Sequence, residues 1–528
     1  MSSPPTDPSA EPHHRFIVVV PVADRPQHLR AFLASLADSL QRFPYGDGRL
    51  VQVLIADDSM DAACIADNRA LAARYDALGL PCLHFVPDAQ AALVDALGPR
   101  ARFRRIVGDA PRERFAHKGQ GAMRNIAYLK LARLLRDAPN AERTLIWSVD
   151  SDQEFKVKIE TSGGDEEVAL DFFHALDAVF SRTDALVATG KVVGDPPVSP
   201  AVMTNNFLDD VLAFLRDTAA RKPDAACSHH AAEARRQGEA AYHDMADLFG
   251  FAPAEPYRYR CTLAGDHAEA DCFAHFAFRL GGFFHGEHPT RVSYYQPGDA
   301  LASLQAARTV YAGNYVFRAA ALDHFLPFAN LRLRMSGPTL GRLLRARLGP
   351  RFVSANLPML HRRTVEGTSQ AEFRPGIAVA AERVDMSGEF ERQFYGDVML
   401  FAIERLTDGG FPQRQATDAD IDATLDGVRE EMLARYNARH AAIRAKLEAA
   451  DALLRDEGNW WNRAARHAPA VQGFAAFFAN VARNFAEDGE ACRRINAADG
   501  WARWRADLGD AVKRYPGDCD AWRQALAA

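Results

Sequence analysis

Two hydrophobic rhythms alternate along the first third of the chain. Phe16-Ile-Val-Val-Val-Pro-Val is an unbroken, β-branched run closed by Pro21, the pattern of a strand covered on both faces. Behind it Leu29, Phe32, Leu33, Leu36 and Leu40 recur at intervals of three and four, which predicts an amphipathic helix. Val51-Gln-Val-Leu-Ile-Ala repeats the strand pattern and ends in Asp57-Asp58-Ser59. Arg124 to Leu135 predicts a second helix. Leu145-Ile-Trp-Ser-Val predicts a third buried strand, ending in Asp150-Ser-Asp152. Strands alternating with helices imply an α/β protein built on an open, mostly parallel sheet flanked by helices. Such sheets bind ligands outside the carboxyl ends of their strands, where these acids fall.

The rhythm then loosens. Residues 156–168 are polar and glycine-containing and read as a loop, and Ala185 to Val193 as a short strand. The stretch 195–310 is irregular and rich in His, Cys and aromatic residues, which suggests an insertion on the acceptor side of the site. Val310 to Phe317 returns to strand character, and Gly337-Pro338 opens a helix over Leu340 to Leu348. From about residue 384 the spacing is helical. Ile421, Leu425, Val428, Met432, Tyr436, Ile443 and Leu447 form one apolar stripe, and Trp460, Trp461, Phe474, Phe477 and Phe478 supply a helical core. The expected division is a disordered tail at 1–14, an α/β part at 15–194 and the insertion at 195–310. The remainder of the α/β unit follows at 311–383, and an all-helical C-terminal domain at 384–528. The stripe is closer to a period of 3.6 than to a strict heptad, so packing within one chain is more economical than a coiled-coil dimer. A homo-oligomer through these helices and the docking of a partner both stay open.

Composition narrows the classes. The chain has 528 residues, 48% of them apolar, with 63 Lys+Arg against 69 Asp+Glu. That excludes global disorder and fits poorly with a nucleic-acid binder. Seven cysteines without a CxxC pair suggest reduced thiols rather than a disulfide framework. Met1 to His14 lacks the basic start and apolar run of a secretory signal. No apolar run reaches the roughly 18 residues that a membrane-spanning helix needs. The expectation is a cytoplasmic protein.

The chemistry concentrates at Asp150 and Asp152. Two carboxylates two residues apart at a strand end can share a hard divalent cation, whereas burial in a core would cost several kcal/mol per ion. Three other elements precede them in order: Val20-Pro21-Val-Ala-Asp24-Arg25-Pro26, Asp57-Asp58-Ser59, and the glycine loop Lys118-Gly119-Gln-Gly121-Ala-Met-Arg124-Asn125 running into a helix. This order resembles a family 2-type glycosyltransferase with the GT-A nucleotide-sugar-binding fold. The resemblance covers roughly residues 15–365 and is strongest over 15–155.

The resemblance implies a hexosyltransferase that takes a nucleoside-diphosphate sugar donor and an unidentified hydroxyl acceptor. Pro21, Asp24, Arg25, Asp57 and Asp58 would meet the nucleotide, Arg124 and Asn125 would close its pocket, and Lys118 would face diphosphate charge. Asp150 and Asp152 would hold Mg²⁺ or Mn²⁺, with His361 of Leu357-Pro-Met-Leu-His361-Arg-Arg as third ligand. Arg362 and Arg363 beside it suit phosphate or solvent. Asn314 and Arg318, in Ala312-Gly313-Asn314-Tyr-Val-Phe-Arg318, would line the sugar and acceptor site.

One departure stands out. The family's inverting members carry an acidic general base soon afterwards, but Arg334-Met-Ser336-Gly337-Pro338-Thr339 has Ser and Pro there. Base candidates elsewhere are Asp209, Asp210, Glu287 and His288, and a retaining outcome, which needs no such base, stays open. Cys227-Ser-His229-His230 invites a zinc reading with Cys261 or Cys272, but the spacings match no zinc pattern. Phe284-His285-Gly-Glu287-His288 could form an acceptor pocket or, by composition, a second metal site, with a polar loop as the plainer reading. Two other functions compete. A sugar-nucleotidyltransferase would carry a glycine-rich G-x-G-x-R loop where this chain has Ala23-Asp24-Arg25-Pro26. A non-catalytic scaffold would act through the helical third.

Overall fold

A computed structural model of the chain describes residues 13–46, 49–136, 138–161, 164–229, 257–311, 313–325, 328–363, 376–380 and 383–528. The expected tail up to residue 12, His230 and much of the insertion lie outside that set. Four parallel strands, β1 (Arg15–Val22), β2 (Val51–Asp57), β3 (Cys82–Phe85) and β4 (Thr144–Val149), lie in the order β4-β1-β2-β3. Shorter strands follow in chain order: β5 (Gln153–Glu154), β6 (Val157–Thr161), β7 (Gly164–Val168), β8 (Val187–Thr189), β9 (Val192–Gly194), β10 (Gln305–Ala306), β11 (Asn314–Arg318), β12 (Phe352–Ser354) and β13 (Met359–His361). The main sheet runs β10-β12-β8-β11-β4-β1-β2-β3; β11 enters antiparallel between β4 and β8, and β8 and β12 are parallel. A second sheet, β5-β13-β9, stands beside the end of β4.

The continuous apolar runs follow from burial on both faces. Ile17 and Val19 enter one core cluster, whereas Phe16, Val18 and Val20 enter the other. β2 and β4 divide in the same way, with Leu54 and Ile146 on one face and Val53 and Trp147 on the other. Successive strand side chains point to opposite faces, so neither face tolerates a charge until the strand ends.

Residues 156–168, expected as a loop, contain the antiparallel pair β6–β7. Lys158 stands opposite Glu167 in its register, while Val157, Ile159 and Val168 pack against the apolar cluster that holds Phe155, so one face of this small sheet is charged and the other apolar. β3 and the helix Ala62–Ala77 before it were not read in the sequence. The strand has four residues and the helix is Ala-rich with little amphipathic contrast.

From Ser387 onward the described chain is helical, with helices Ser387–Asp408, Asp418–Arg455, Ala468–Asn484, Glu490–Asn496, Ala498–Lys513 and Tyr515–Ala527. Asp418–Arg455 starts at a capping box, in which Thr417 Oγ1 accepts from Asp420 N at 3.1 Å. All seven stripe residues from Ile421 to Leu447 are buried. They face helices Pro200–Ala219, Ser387–Asp408 and Ala498–Lys513, so the stripe is spent inside this chain rather than on a dimer seam. One apolar cluster runs from Ile17 to Ala525, so the C-terminal helices share a core with one face of the sheet. Among the described residues no helix is long and apolar enough to cross a membrane.

His440 sits inside this helical core against Phe390, Tyr436 and Phe485, and neither ring nitrogen has a hydrogen-bond partner among the described residues. Burial, with Arg439 and Arg444, pushes its imidazole down to about 4. A histidine depressed below its unfolded value near 6.5 contributes stability that is intact above that pH and is lost as pH falls. Asp397, raised to about 6 by burial, acts in the opposite sense, losing its contribution as pH rises from about 4 toward 6. Denaturant titrations of His440→Leu and wild type at pH 7 and pH 4.5 are expected to show wild type losing about 2 kcal/mol more than the variant. Equal losses would mean that the imidazole is not held neutral.

Candidate active site at the carboxyl ends of the sheet

Immediately after β4 the chain turns, with Gln153 N donating to Asp150 O at 3.1 Å, and enters β5. β5 pairs with β13 so that His361 lies opposite Gln153. This register brings His361 Nε2 to 3.6 Å from Asp152 Oδ2. His361 Nδ1 contacts Asp195 O at 2.7 Å. A carbonyl only accepts, so Nδ1 carries a proton, and Nε2 is the ring nitrogen that faces Asp152. Asp152 Oδ1 is buried with no hydrogen-bond partner among the described residues. Burial alone would raise the Asp152 carboxyl, but His361, Arg363 and His28 outweigh it and hold the group well below the usual carboxylate range.

Asp150 is ion-paired to Arg124 Nη2, and Arg124 Nε donates to Ser148 Oγ at 3.2 Å. Gln120 Nε2 lies 3.4 Å from Asp150 Oδ1. Gly313 closes over the turn: a Cβ there would stand 1.9 Å from Gln153 Nε2 and 3.0 Å from Asp150 Oδ2. Two carboxylates and one oriented imidazole are a donor set for a hard or borderline divalent cation, and the orphaned Asp152 oxygen fits such an ion.

The loops after β1 and β2 lie alongside. Pro21 is a buried β1 residue paired in register with Ala56. Asp24 Oδ1 accepts from Met60 N and Asp61 N at 3.0 and 2.9 Å, and its other oxygen is paired with His117 Nε2. Asp57 is fully engaged inside the protein, by Ser59 N at 2.9 Å, Asn68 Nδ2 at 3.0 Å and His84 Nε2 at 2.8 Å. Lys118, expected to face diphosphate, is instead fully buried; its Nζ pairs with Asp58 and donates to Phe115 O at 2.9 Å. Burial drives the Asp58 carboxyl up and the Lys118 ammonium down, while their mutual attraction opposes both. Asp57, Asp58 and Lys118 thus hold the loops rather than offer free groups to a nucleotide.

Positive charge comes from elsewhere. Arg363 Nη1 is 3.9 Å from Asp152 Oδ2. Burial pushes this guanidinium down, nearby Arg334 and Arg25 push in the same direction, and Asp152 and Asp195 oppose. Arg362 turns away to Glu154 Oε1 at 2.9 Å and Glu167 Oε1 at 2.6 Å. The surrounding loops carry left-handed non-glycine residues, Asp24, His117, Arg332 and Met335, at φ between 50° and 60°. Such conformations persist where the surroundings enforce them, and they cluster at binding sites.

Other expected site residues are structural here. Asn125 Nδ2 donates to Ile106 O at 2.7 Å within a buried helix. Asn314 bridges strands, accepting from Trp147 Nε1 at 3.1 Å and donating to Lys191 O and Leu357 O at 2.9 Å. Arg318 sits at the far end of β11, with Nε donating to Ala185 O at 3.1 Å. Asp210 is a fully buried partner of Arg291 at 2.9 Å, and Asp209 pairs with Lys446 at 2.7 Å. His288 is packed edge-on against Phe207 and Phe283, and Glu287 folds back over Gly282. All four base candidates are engaged within the insertion or with the C-terminal helices, which assigns them to packing rather than to proton transfer.

Asp195, His28 and Arg334 were missed as site residues. Asp195 follows a strand end just as Asp57 and Asp150 do, so the rule that found those would have found it. His28 lies in the first turn of the helix after β1, and Arg334 occupies the segment where an acid was sought.

Lys118→Met is expected to destabilise the protein by about 3–5 kcal/mol, because it strands the buried Asp58 carboxylate. Adding Asp58→Asn should recover part of that loss in denaturant titrations. A solvent-facing lysine would cost only about 0.5 kcal/mol or less.

No protein-family model matches the chain, and no curated protein sequence does. Among solved structures the chain is similar to the mannosyltransferase PcManGT from Pyrobaculum calidifontis in complex with GDP-Man and Mn2+, at 10% sequence identity and a TM-score of 0.33, over 91% of this chain and 89% of that one. A likeness of that size carries no argument about activity.

Proposed function

We propose that this protein is a metal-dependent glycosyltransferase that moves a sugar from a nucleoside-diphosphate sugar to a hydroxyl acceptor. The observation that carries the reading is the Asp152–His361 pair. A buried carboxylate oxygen without a donor stands beside an imidazole whose other nitrogen is already committed, next to Asp150 at the carboxyl end of a parallel sheet. Asp150, Asp152 and His361 would hold Mg²⁺ or Mn²⁺, which when bound neutralises charge on the diphosphate leaving group.

The chain's own residues prepare that site. Arg124 fixes the Asp150 carboxylate, and the Asp195 carbonyl fixes the His361 ring. Arg25, Arg334 and Arg363 supply a positive rim suited to phosphate oxygens. The Asp24–His117 pair joins two loops at the edge where a nucleotide would lie. Residues 332–342 contain no acid, so the reading commits to a donor site and a cation and not to a general base.

A thermal-shift screen of nucleoside diphosphates with Mn²⁺ tests the donor site. At a hundredfold excess over Kd the expected stabilisation is about 2.7 kcal/mol. Asp152→Asn and His361→Ala should each remove the Mn²⁺-dependent part and lower nucleoside-diphosphate release from a donor panel by roughly tenfold or more, the scale of a lost ligand interaction. The reading fails if Asp150→Ala plus Asp152→Ala binds nucleoside diphosphates with Mn²⁺ as wild type does.

A further inference from the structure

Outside the candidate active site, the insertion gathers three of the seven cysteines and a histidine. Ala226 and Ala268 form an antiparallel bridge, and Cys227 N donates to His267 O at 3.0 Å. Cys261 N donates to His229 O at 3.1 Å, and Cys272 lies in the first turn of helix Glu269–Phe283. These anchors bring four ligand atoms together. Cys227 Sγ is 2.7 Å from Cys272 Sγ, and His267 Nε2 is 3.1 Å from Cys272 Sγ and 3.2 Å from Cys261 Sγ. All four atoms lie within 4.8 Å of one another. Cys261 and Cys272 are buried, and Cys227 and His267 are half-buried.

We propose that Cys227, Cys261, His267 and Cys272 form a closed structural Zn²⁺ site of the Cys₃His type. Zinc takes thiolate sulfur at about 2.3 Å and imidazole nitrogen at about 2.0–2.1 Å, so a tetrahedral site has donor–donor edges of roughly 3.5–3.8 Å. The three contacts of 2.7, 3.1 and 3.2 Å are shorter than those edges, and opening each pair by about 1 Å or less, shared between its two side chains, reaches them. The imidazole is already oriented: His267 Nδ1 contacts Gly265 O at 2.8 Å, which commits the proton to Nδ1 and turns Nε2 toward the three sulfurs. The nearby carboxylate is not a competing ligand, since Glu269 accepts from His229 at 2.8 Å and from Ser228 N at 3.2 Å. Thiolate donors and the absence of a carboxylate in the set select zinc over magnesium or manganese. Four protein ligands leave no open position, so the ion would be structural. It would clip the chain after helix Pro200–Ala219 to the start of helix Glu269–Phe283. That helix in turn stacks Phe273 on Trp461 and Phe474 at 5.0 Å. The site would therefore tie the insertion to the C-terminal helices.

Elemental analysis of the full-length protein, purified with reductant from zinc-supplemented medium, should give about one zinc per chain. Cys261→Ser plus Cys272→Ser should lose it and lower Tm, whereas Asp150→Asn plus Asp152→Asn should retain it, which separates this ion from a nucleotide-site metal. Wild-type protein reconstituted with Co²⁺ should show the sulfur-to-cobalt charge-transfer and visible bands of a tetrahedral thiolate site, a readout that does not depend on any variant folding. The proposal is overturned if wild type, after incubation with Zn²⁺ and desalting, retains no zinc. It is equally overturned if zinc retention survives the double serine change, if the Co²⁺ bands are absent, or if alkylation mass spectrometry finds Cys227 and Cys272 joined as a disulfide in metal-free protein.

Discussion

Charge at the ends of doubly buried strands is the constraint on which this structure turns. β1, β2 and β4 each present side chains to apolar clusters on both faces, so the first tolerable place for a carboxylate is the turn beyond the strand. Asp24, Asp57, Asp58, Asp150 and Asp152 all fall there or one residue short of it. A carboxylate so placed is destabilising unless donors or cations answer it. Asp57 is answered by Ser59, Asn68 and His84, Asp58 by Lys118, Asp24 by His117 and two backbone N–H groups, and Asp150 by Arg124. Among the described residues Asp152 is answered on one oxygen only. The candidate metal position is thus where one buried carboxylate oxygen lacks a donor, and that contrast among five similar acids singles it out more sharply than the D-x-D spacing does.

The strands that expose this contrast were legible because burial on both faces writes an unbroken apolar run. The helix Asp418–Arg455 was legible for a related reason, since a long helix buried along one side writes its stripe at the helical period. The short pieces were not. β5, β9 and β13 have two or three residues each, too few to establish any period, yet their pairing is what brings His361 to Asp152. β6 and β7 have only five residues each and are rich in charge, so the brief alternation of Val157 and Ile159 with Lys158 and Glu160 is too short to stand out as a strand.

Side-chain roles were less legible than strands, because they depend on partners distant in sequence. Lys118 reads as a loop lysine until Asp58 is seen to bury with it. Asn314 reads as a sugar-site amide until Trp147 and two carbonyls use its polar atoms. The thiol cluster shows the same effect from the other side. Its spacings fit no zinc pattern because Cys227 and Cys261 lie 34 residues apart in the sequence, and the histidine that joins them is His267, not the adjacent His229.

The missing acid over residues 332–342 has a physical counterpart. Arg334 stands there, 3.3 Å from Glu389 Oε1, and Gly396 packs so closely that a Cβ would lie 2.5 Å from Arg334 O. Both partners belong to helix Ser387–Asp408, so the helical region builds one wall of the candidate site. The nearest carboxylate on that wall, Glu389, is also held by Arg392 at 3.1 Å. Its carboxylate is therefore engaged by two guanidiniums. The wall therefore adds cationic charge near Asp152 without adding a base. Under the proposed function that balance would suit a departing diphosphate, and it would place acceptor activation outside this segment.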